Sequence, residues 1–273
     1  MGVMRKVAKR VFFALPEPVQ PVVRYYLDRQ YHRIARITKN VVAAGPFKGM
    51  RYIHRSIESS ICPKLLGTYE KELWPIVEQV IASHYRTVVN IGAAEGYYAV
   101  GFARHLPVAR VICFETQVSQ HHLLRRLAAL NGVAEKLSLH GDCSPELLNE
   151  TLNSIEPSFV ICDIDGAEYG LLDPEASPAL RQSDLLVEVH DFDRPDTSAV
   201  IRRRFEPTHT ITVITDRPRI PADWPLPLKL DWEEQATCMA EGRPGRQQWF
   251  WMVAKQPSGG EPAIVDTPPN QDE

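Results

Sequence analysis

Thr87-Val88-Val89-Asn90-Ile91-Gly92-Ala93-Ala94-Glu95-Gly96-Tyr97-Tyr98 is an apolar strand that runs straight into a glycine-bearing turn and then into a helical pattern. Glycine at 92 lets the backbone turn with torsions that other residues resist, and glycine at 96 leaves room for a ligand to approach the main chain at a helix N-terminus. By itself this segment is equally a tight strand-to-helix turn with no ligand.

The units that follow favour the ligand. Arg110-Val111-Ile112-Cys113-Phe114-Glu115 is a second apolar run, and it ends in a carboxylate about 20 residues beyond the turn, the place from which an acid reaches a ribose. A third run, Leu137-Ser138-Leu139-His140, leads into Gly141-Asp142-Cys143, where Asp142 is either an acceptor for an adenine amino group or part of the turn and cap before Ser144-Pro145-Glu146. In the fourth, Phe159-Val160-Ile161-Cys162-Asp163-Ile164-Asp165-Gly166-Ala167-Glu168, three acids gather at one strand end, with residues 163 and 165 on one face. Converging carboxylates are costly unless they meet a cation, a proton or a substrate. The fifth, Leu185-Leu186-Val187-Glu188-Val189-His190-Asp191, delivers a His and an Asp to the neighbouring position. Consecutive strand-end polar clusters point to one shared cleft.

The Gly92-Ala93-Ala94-Glu95-Gly96-Tyr97-Tyr98 turn, Phe114-Glu115, Asp163-Ile164-Asp165-Gly166-Ala167-Glu168 and Val187-Glu188-Val189-His190 together resemble class I S-adenosylmethionine-dependent methyltransferases of the FkbM type, over roughly residues 85 to 254. The resemblance implies a Rossmann-like α/β fold: a seven-stranded, mostly parallel sheet with helices on both faces. It also implies S-adenosylmethionine as cofactor, contacted by Asn90, Gly92, Ala94, Gly96, Tyr97, Glu115, Asp142 and Asp163, and O-methylation of a sugar or similar polyol-bearing small molecule. Two departures stand out. The family commonly has Asp where this chain has Asn90, which can hydrogen-bond a methionine ammonium without offsetting its charge, and many class I enzymes have glycine where this chain has Ala94.

Chemically, methyl transfer from a sulfonium asks the protein for alignment and for removal of one proton. Asp163, Asp165, His190 and Asp191 are placed to supply both. In one scheme Asp163 or Asp165 together with Asp191 holds a hard divalent cation such as Mg²⁺, which lowers the acceptor hydroxyl's pKa; in the other His190 is a metal-free general base. A nicotinamide-dependent oxidoreductase shares the glycine turn and the ribose acid but leaves the acids after the fourth strand unexplained. The non-enzymatic rival is a catalytically degenerate methyltransferase-like module that binds a partner, motivated by Asn90.

Composition agrees with a globular α/β domain. The 273 residues are 44% apolar with a net charge of −3, which gives no general attraction for nucleic acid. Five cysteines without a CxxC pair indicate neither a zinc site nor a disulfide frame, so a reducing cytoplasmic setting is the default. The organisation read from the sequence is a basic helical extension with an edge hairpin over residues 1–60, a methyltransferase domain over 61–256, and an acidic, disordered tail over 257–273. Within residues 1–40, nine Lys or Arg face only Glu17 and Asp28, and Val7, Val11, Phe12 and Leu15 fall at helical spacing. That pattern suits peripheral contact with an anionic membrane or an acidic protein partner, or a helix packed on the domain. The hairpin is read in Val41 to Tyr52, a helix over Tyr69 to Tyr85 with Leu73, Ile76, Val80 and Ile81 inward, and a surface position for His121 and His122. Pro218, Pro221, Pro225 and Pro227 forbid a continuous helix or central strand in 216–246, a loop whose Trp224 and Trp232 are candidates for stacking on a sugar ring.

Overall fold

The computed structural model describes residues 20–255 except 57–58, 108–109, 154–157, 193 and 244. The early basic helix within 1–19 and the tail over 257–273 lie outside the described residues. In chain order the elements are α1 (Gln20–Thr38), α2 (Ile61–Leu66), α3 (Trp74–Ala82), β1 (Thr87–Ile91), α4 (Tyr97–His105), β2 (Arg110–Phe114), α5 (Val118–Leu130), β3 (Leu137–His140), α6 (Pro145–Asn153), β4 (Ser158–Cys162), α7 (Glu168–Leu171), β5 (Asp184–Glu188), α8 (Thr197–Phe205), β6 (His209–Thr215), α9 (Trp232–Met239) and β7 (Gln248–Ala254).

β1 and β4 are buried at every position, as strands covered on both faces must be. Their alternate side chains feed two cores. Val88, Phe159 and Ile161 join a cluster under α1, α4 and α5, whereas Val89, Val160 and Cys162 join one under α6 and α8. The sheet has the order β3-β2-β1-β4-β5-β7-β6, with β7 antiparallel to both neighbours and the remaining pairs parallel. This is the seven-stranded Rossmann-like methyltransferase fold. β1 pairs with β2 on one side and β4 on the other, so the crevice of a doubly wound sheet opens at the carboxyl ends of those strands.

Several local expectations need correction. The helix expected from Tyr69 starts at Trp74, where Pro75 fits the first turn, and Tyr69 and Glu70 are buried ahead of it. His121 is buried, with Nε2 2.7 Å from the Glu115 carbonyl oxygen, while His122 is exposed. The segment from Val41 does double back, through an antiparallel bridge between Val41 and Arg51, but its tip turns inward. Phe47 is 2% exposed and lies edge-on to Tyr97, Tyr98 and Phe102 of α4, over Gly101, whose absent Cβ would meet the Phe47 ring at 2.6 Å. The hairpin therefore buttresses the helix behind the glycine turn. Among the described residues no helix is long and apolar enough to cross a membrane.

Candidate active site

The glycine turn is built against its neighbours. Gly92 and Ala93 both donate their amides to the Phe114 carbonyl, at 2.9 and 3.0 Å, so the turn is stitched to the end of β2. Gly92 has φ +78°, and a Cβ there would stand 1.8 Å from the Asp163 carbonyl oxygen. Ala94 takes the left-handed conformation at φ 47° and donates its amide to Glu115 Oε2 at 3.0 Å. Glu115 Oε1 accepts from the Gln117 amide at 2.7 Å. Two backbone donors thus fix a buried carboxylate, which keeps lone pairs for further donors. Gly96 is also left-handed, and a Cβ there would stand 3.0 Å from Leu124 Cγ of α5, so its bareness serves helix packing.

Between the turn and the end of β4 lies a cavity of about 460 Å³, walled by Gly92, Phe114, Glu115, Asp142, Asp163 and Asp165 among others. Its size suits a nucleoside-bearing ligand. The cap of α6 falls to Ser144, whose Oγ accepts from the Leu147 amide at 3.2 Å, while Asp142 stands exposed at the wall. Asn90 is 4% exposed, and its Oδ1 has no hydrogen-bond partner among the described residues. A buried amide oxygen in that state is an acceptor awaiting a donor. Tyr97 lies in the aromatic core beside Phe47, Tyr52 and Tyr69.

On the far wall the loop after β4 is wound around Glu168. Its carboxylate, 0% exposed, accepts from the Ile164 and Gly166 amides, both at 2.9 Å, and pairs with His190 Nδ1 at 3.0 Å. The loop is strained at Asp165, φ 51°, which aims that side chain at the cleft. His190 Nε2 lies 3.6 Å from Asp163, 3.9 Å from Asp165 and 3.8 Å from Glu188. Burial alone would lower the His190 pKa, but the Glu168 bond and the charges of Asp163, Glu188 and Glu168 outweigh it and raise it to about 10. The ring is therefore cationic at neutral pH, which weakens the scheme in which it is a free general base.

Asp163, Asp165 and His190 are brought together as a candidate cation site. Asp191 is not brought to that site: it is exposed, and its carboxylate accepts from the Ser198 amide at 2.8 Å and the Ser198 hydroxyl at 2.6 Å, tying down the start of α8. Trp224 packs against the core with its indole N–H on the Leu228 carbonyl, and Trp232 is 41% exposed at the start of α9. Neither lines the cavity. Sequence reasoning missed Arg243 and its link to Glu70. Arg243 donates to Glu188 at 2.6 Å, to Glu241 at 3.0 Å and to Glu70. Burial raises the Glu70 pKa to about 7 despite that guanidinium. No local pattern marks a pairing between residues 70 and 243.

A doubly wound sheet whose carboxyl edge carries a glycine turn, a strand-end acid and an acid–imidazole cluster is a Rossmann-like α/β architecture. No family model matches the chain, and no curated protein matches it. Among solved structures, the O-methyltransferase TomG from Streptomyces achromogenes, involved in tomaymycin synthesis and solved with S-adenosylmethionine, is 17% identical; the match covers 83% of this chain and 89% of that one, with a TM-score of 0.44. An O-methyltransferase from Bacillus cereus in complex with S-adenosylhomocysteine is 16% identical over 83% of this chain and 91% of that one, with a TM-score of 0.42.

Proposed function

We propose that the chain is an S-adenosylmethionine-dependent methyltransferase of the FkbM type, acting on a hydroxyl of a sugar or other polyol-bearing small molecule with help from a divalent cation. The observation that carries this reading is the single cleft in which Gly92, Glu115 and Asp142 wall a nucleoside-sized cavity that continues to Asp163, Asp165 and His190.

The residues present fit the cofactor. Glu115, held by two amides, has lone pairs left for ribose hydroxyls; Asp142, exposed at the cavity wall, is an acceptor for an adenine amino group; Asn90, next to the cavity-lining Ile91, has a buried side-chain oxygen with no partner among the described residues, an acceptor for an ammonium. Bound there, S-adenosylmethionine supplies an activated methyl group. Asp163, Asp165 and His190 fit a hard cation, whose Lewis acidity makes a bound hydroxyl more acidic. Glu168 occupies His190 Nδ1 and so leaves only Nε2 facing the cleft, in the carboxylate–histidine arrangement that orients metal-binding imidazoles. His190 without a cation already carries its proton at neutral pH, so it does not serve there as a free imidazole base.

Calorimetry with S-adenosylhomocysteine, followed by a methyl-transfer assay on a panel of sugars, tests the reading. Binding is expected, with turnover abolished by chelator and restored by Mg²⁺ or Mn²⁺. Absence of S-adenosylhomocysteine binding would overturn the methyltransferase assignment, and full turnover in chelator would overturn the cation.

A further inference from the structure

Two ligand sets at the cleft share one member. Asp163 stands with Asp165 and His190, and it stands equally with Glu70 and Glu188; in either set one donor atom from each residue lies within 4.8 Å of the others. The second set already holds a positive charge. Arg243 donates from Nη1 to Glu188 at 2.6 Å, from Nε to Glu241 at 3.0 Å, and from Nη2 to Glu70 and to the Tyr69 hydroxyl oxygen at 3.5 Å. Glu70 and Glu188 are each 1% exposed, so these bonds are screened little by water. The receptor is rigid as well. Glu70 sits in left-handed backbone at φ 46° with its amide on Glu241 Oε1 at 3.0 Å, and Arg219 joins Glu241 to Glu72.

We propose that Arg243 is a built-in cation: it fills the Glu70–Asp163–Glu188 half of the cluster, so that the cleft takes one exchangeable divalent ion at Asp163–Asp165–His190 and no second. Carboxylates this close remain ionised only beside compensating charge, and a guanidinium supplies charge that no proton exchange removes. Two ions sharing Asp163 would form the paired-metal arrangement, with a spacing of about 3.5–4 Å; a guanidinium bound to Glu70 and Glu188 excludes the second. Glu188 borders both halves, bonded to Arg243 and 3.8 Å from His190 Nε2, which makes Arg243 a positioning residue for the exchangeable site too. The ion count of the unaltered chain rests on the function proposed above; the count gained on removing Arg243 does not.

The test is titration of the metal-stripped full chain with Mn²⁺, counting bound ions by calorimetry and by electron paramagnetic resonance of the free ion. The expected counts are one for the unaltered chain, two for Arg243→Gln and Arg243→Ala, and one for Arg243→Lys. No gain in either neutral variant, or two ions in the unaltered chain, overturns the proposal. No ion in the unaltered chain with one in Arg243→Gln would uphold the built-in cation and refute the exchangeable ion at Asp163–Asp165–His190. A check that leaves Arg243 in place is Glu70→Gln, which should keep the single site within about threefold in affinity; a loss of tenfold or more overturns the division of the carboxylates.

Discussion

Gly92→Ala adds one methyl group at the point where the cofactor turn touches the acid cluster. Its Cβ would stand 1.8 Å from the Asp163 carbonyl oxygen, so that backbone must retreat by more than about 1 Å to reach any tolerated contact. The retreat breaks the bond from the Asp163 amide to the Ile91 carbonyl, now 3.1 Å, which joins β1 to the loop after β4. Left-handed backbone costs alanine roughly 1–2 kcal/mol, the lost bond about 1 and the overpacking about 1–3, giving a destabilisation of about 3–6 kcal/mol. For a chain of this size that is a fall in Tm of roughly 10 °C. Because Gly92 and Asp163 both wall the cavity, affinity for S-adenosylhomocysteine should fall at least about 100-fold. Gly132→Ala is the control. Gly132 is also left-handed, at φ +67°, but nothing lies within 4 Å of its absent Cβ, so only the backbone strain of about 1–2 kcal/mol should appear. Urea denaturation and calorimetry on both variants separate clash from strain. If Gly92→Ala matched Gly132→Ala in stability and in binding, the reasoning would be refuted.

Ala94→Gly should stabilise the protein by about 1 kcal/mol by relieving the strain at φ 47°, with affinity for S-adenosylhomocysteine unchanged within about twofold; a lower Tm would contradict this. Lys64→Met strips the cation from Glu95, which is 0% exposed and paired with Lys64 at 2.5 Å, and should cost about 3–5 kcal/mol in urea denaturation. Lys64→Met with Glu95→Gln should recover most of that loss, and a double variant as weak as the single one would show that the pair is not the cause. In chelator, the His190 contribution is fully present below the unfolded pKa of about 6.5 and is lost as pH rises through about 10, because the folded-state value is the higher. Tm should accordingly fall between pH 7 and 10, and less steeply in His190→Asn; equal slopes would count against an imidazolium bound by Glu168.

The sheet was legible because its strands are short, continuous apolar runs, and buried parallel strands leave little else for such runs to be. Thr87–Ile91, Arg110–Phe114 and Leu137–His140 begin and end where the pattern does. Edges were harder: β6 runs from His209 to Thr215, and its threonines carry a strand without an apolar signal. At the cleft, Asp163, Asp165 and His190 were visible as strand-end residues, but neighbours in sequence diverge in space. Asp191 follows His190 and yet turns to Ser198. Glu70 and Arg243, by contrast, meet across 173 residues of chain, and neither Tyr69-Glu70 nor the loop around Gly242 carries a periodicity that would pair them.

β7 lies between β5 and β6, antiparallel to both, and Arg243 sits just ahead of it. As the chain leaves the ribosome, strands β1 to β5 can pair in their final order, but β6 has no neighbour to hydrogen-bond until residues 248–254 arrive and slot in beside Val187. The guanidinium that joins Glu70 to Glu188 is delivered in the same late event. The acid centre is thus completed by nearly the last described stretch to be translated, and a chain halted short of it would carry the nucleoside cavity together with two buried glutamates that lack their counter-charge.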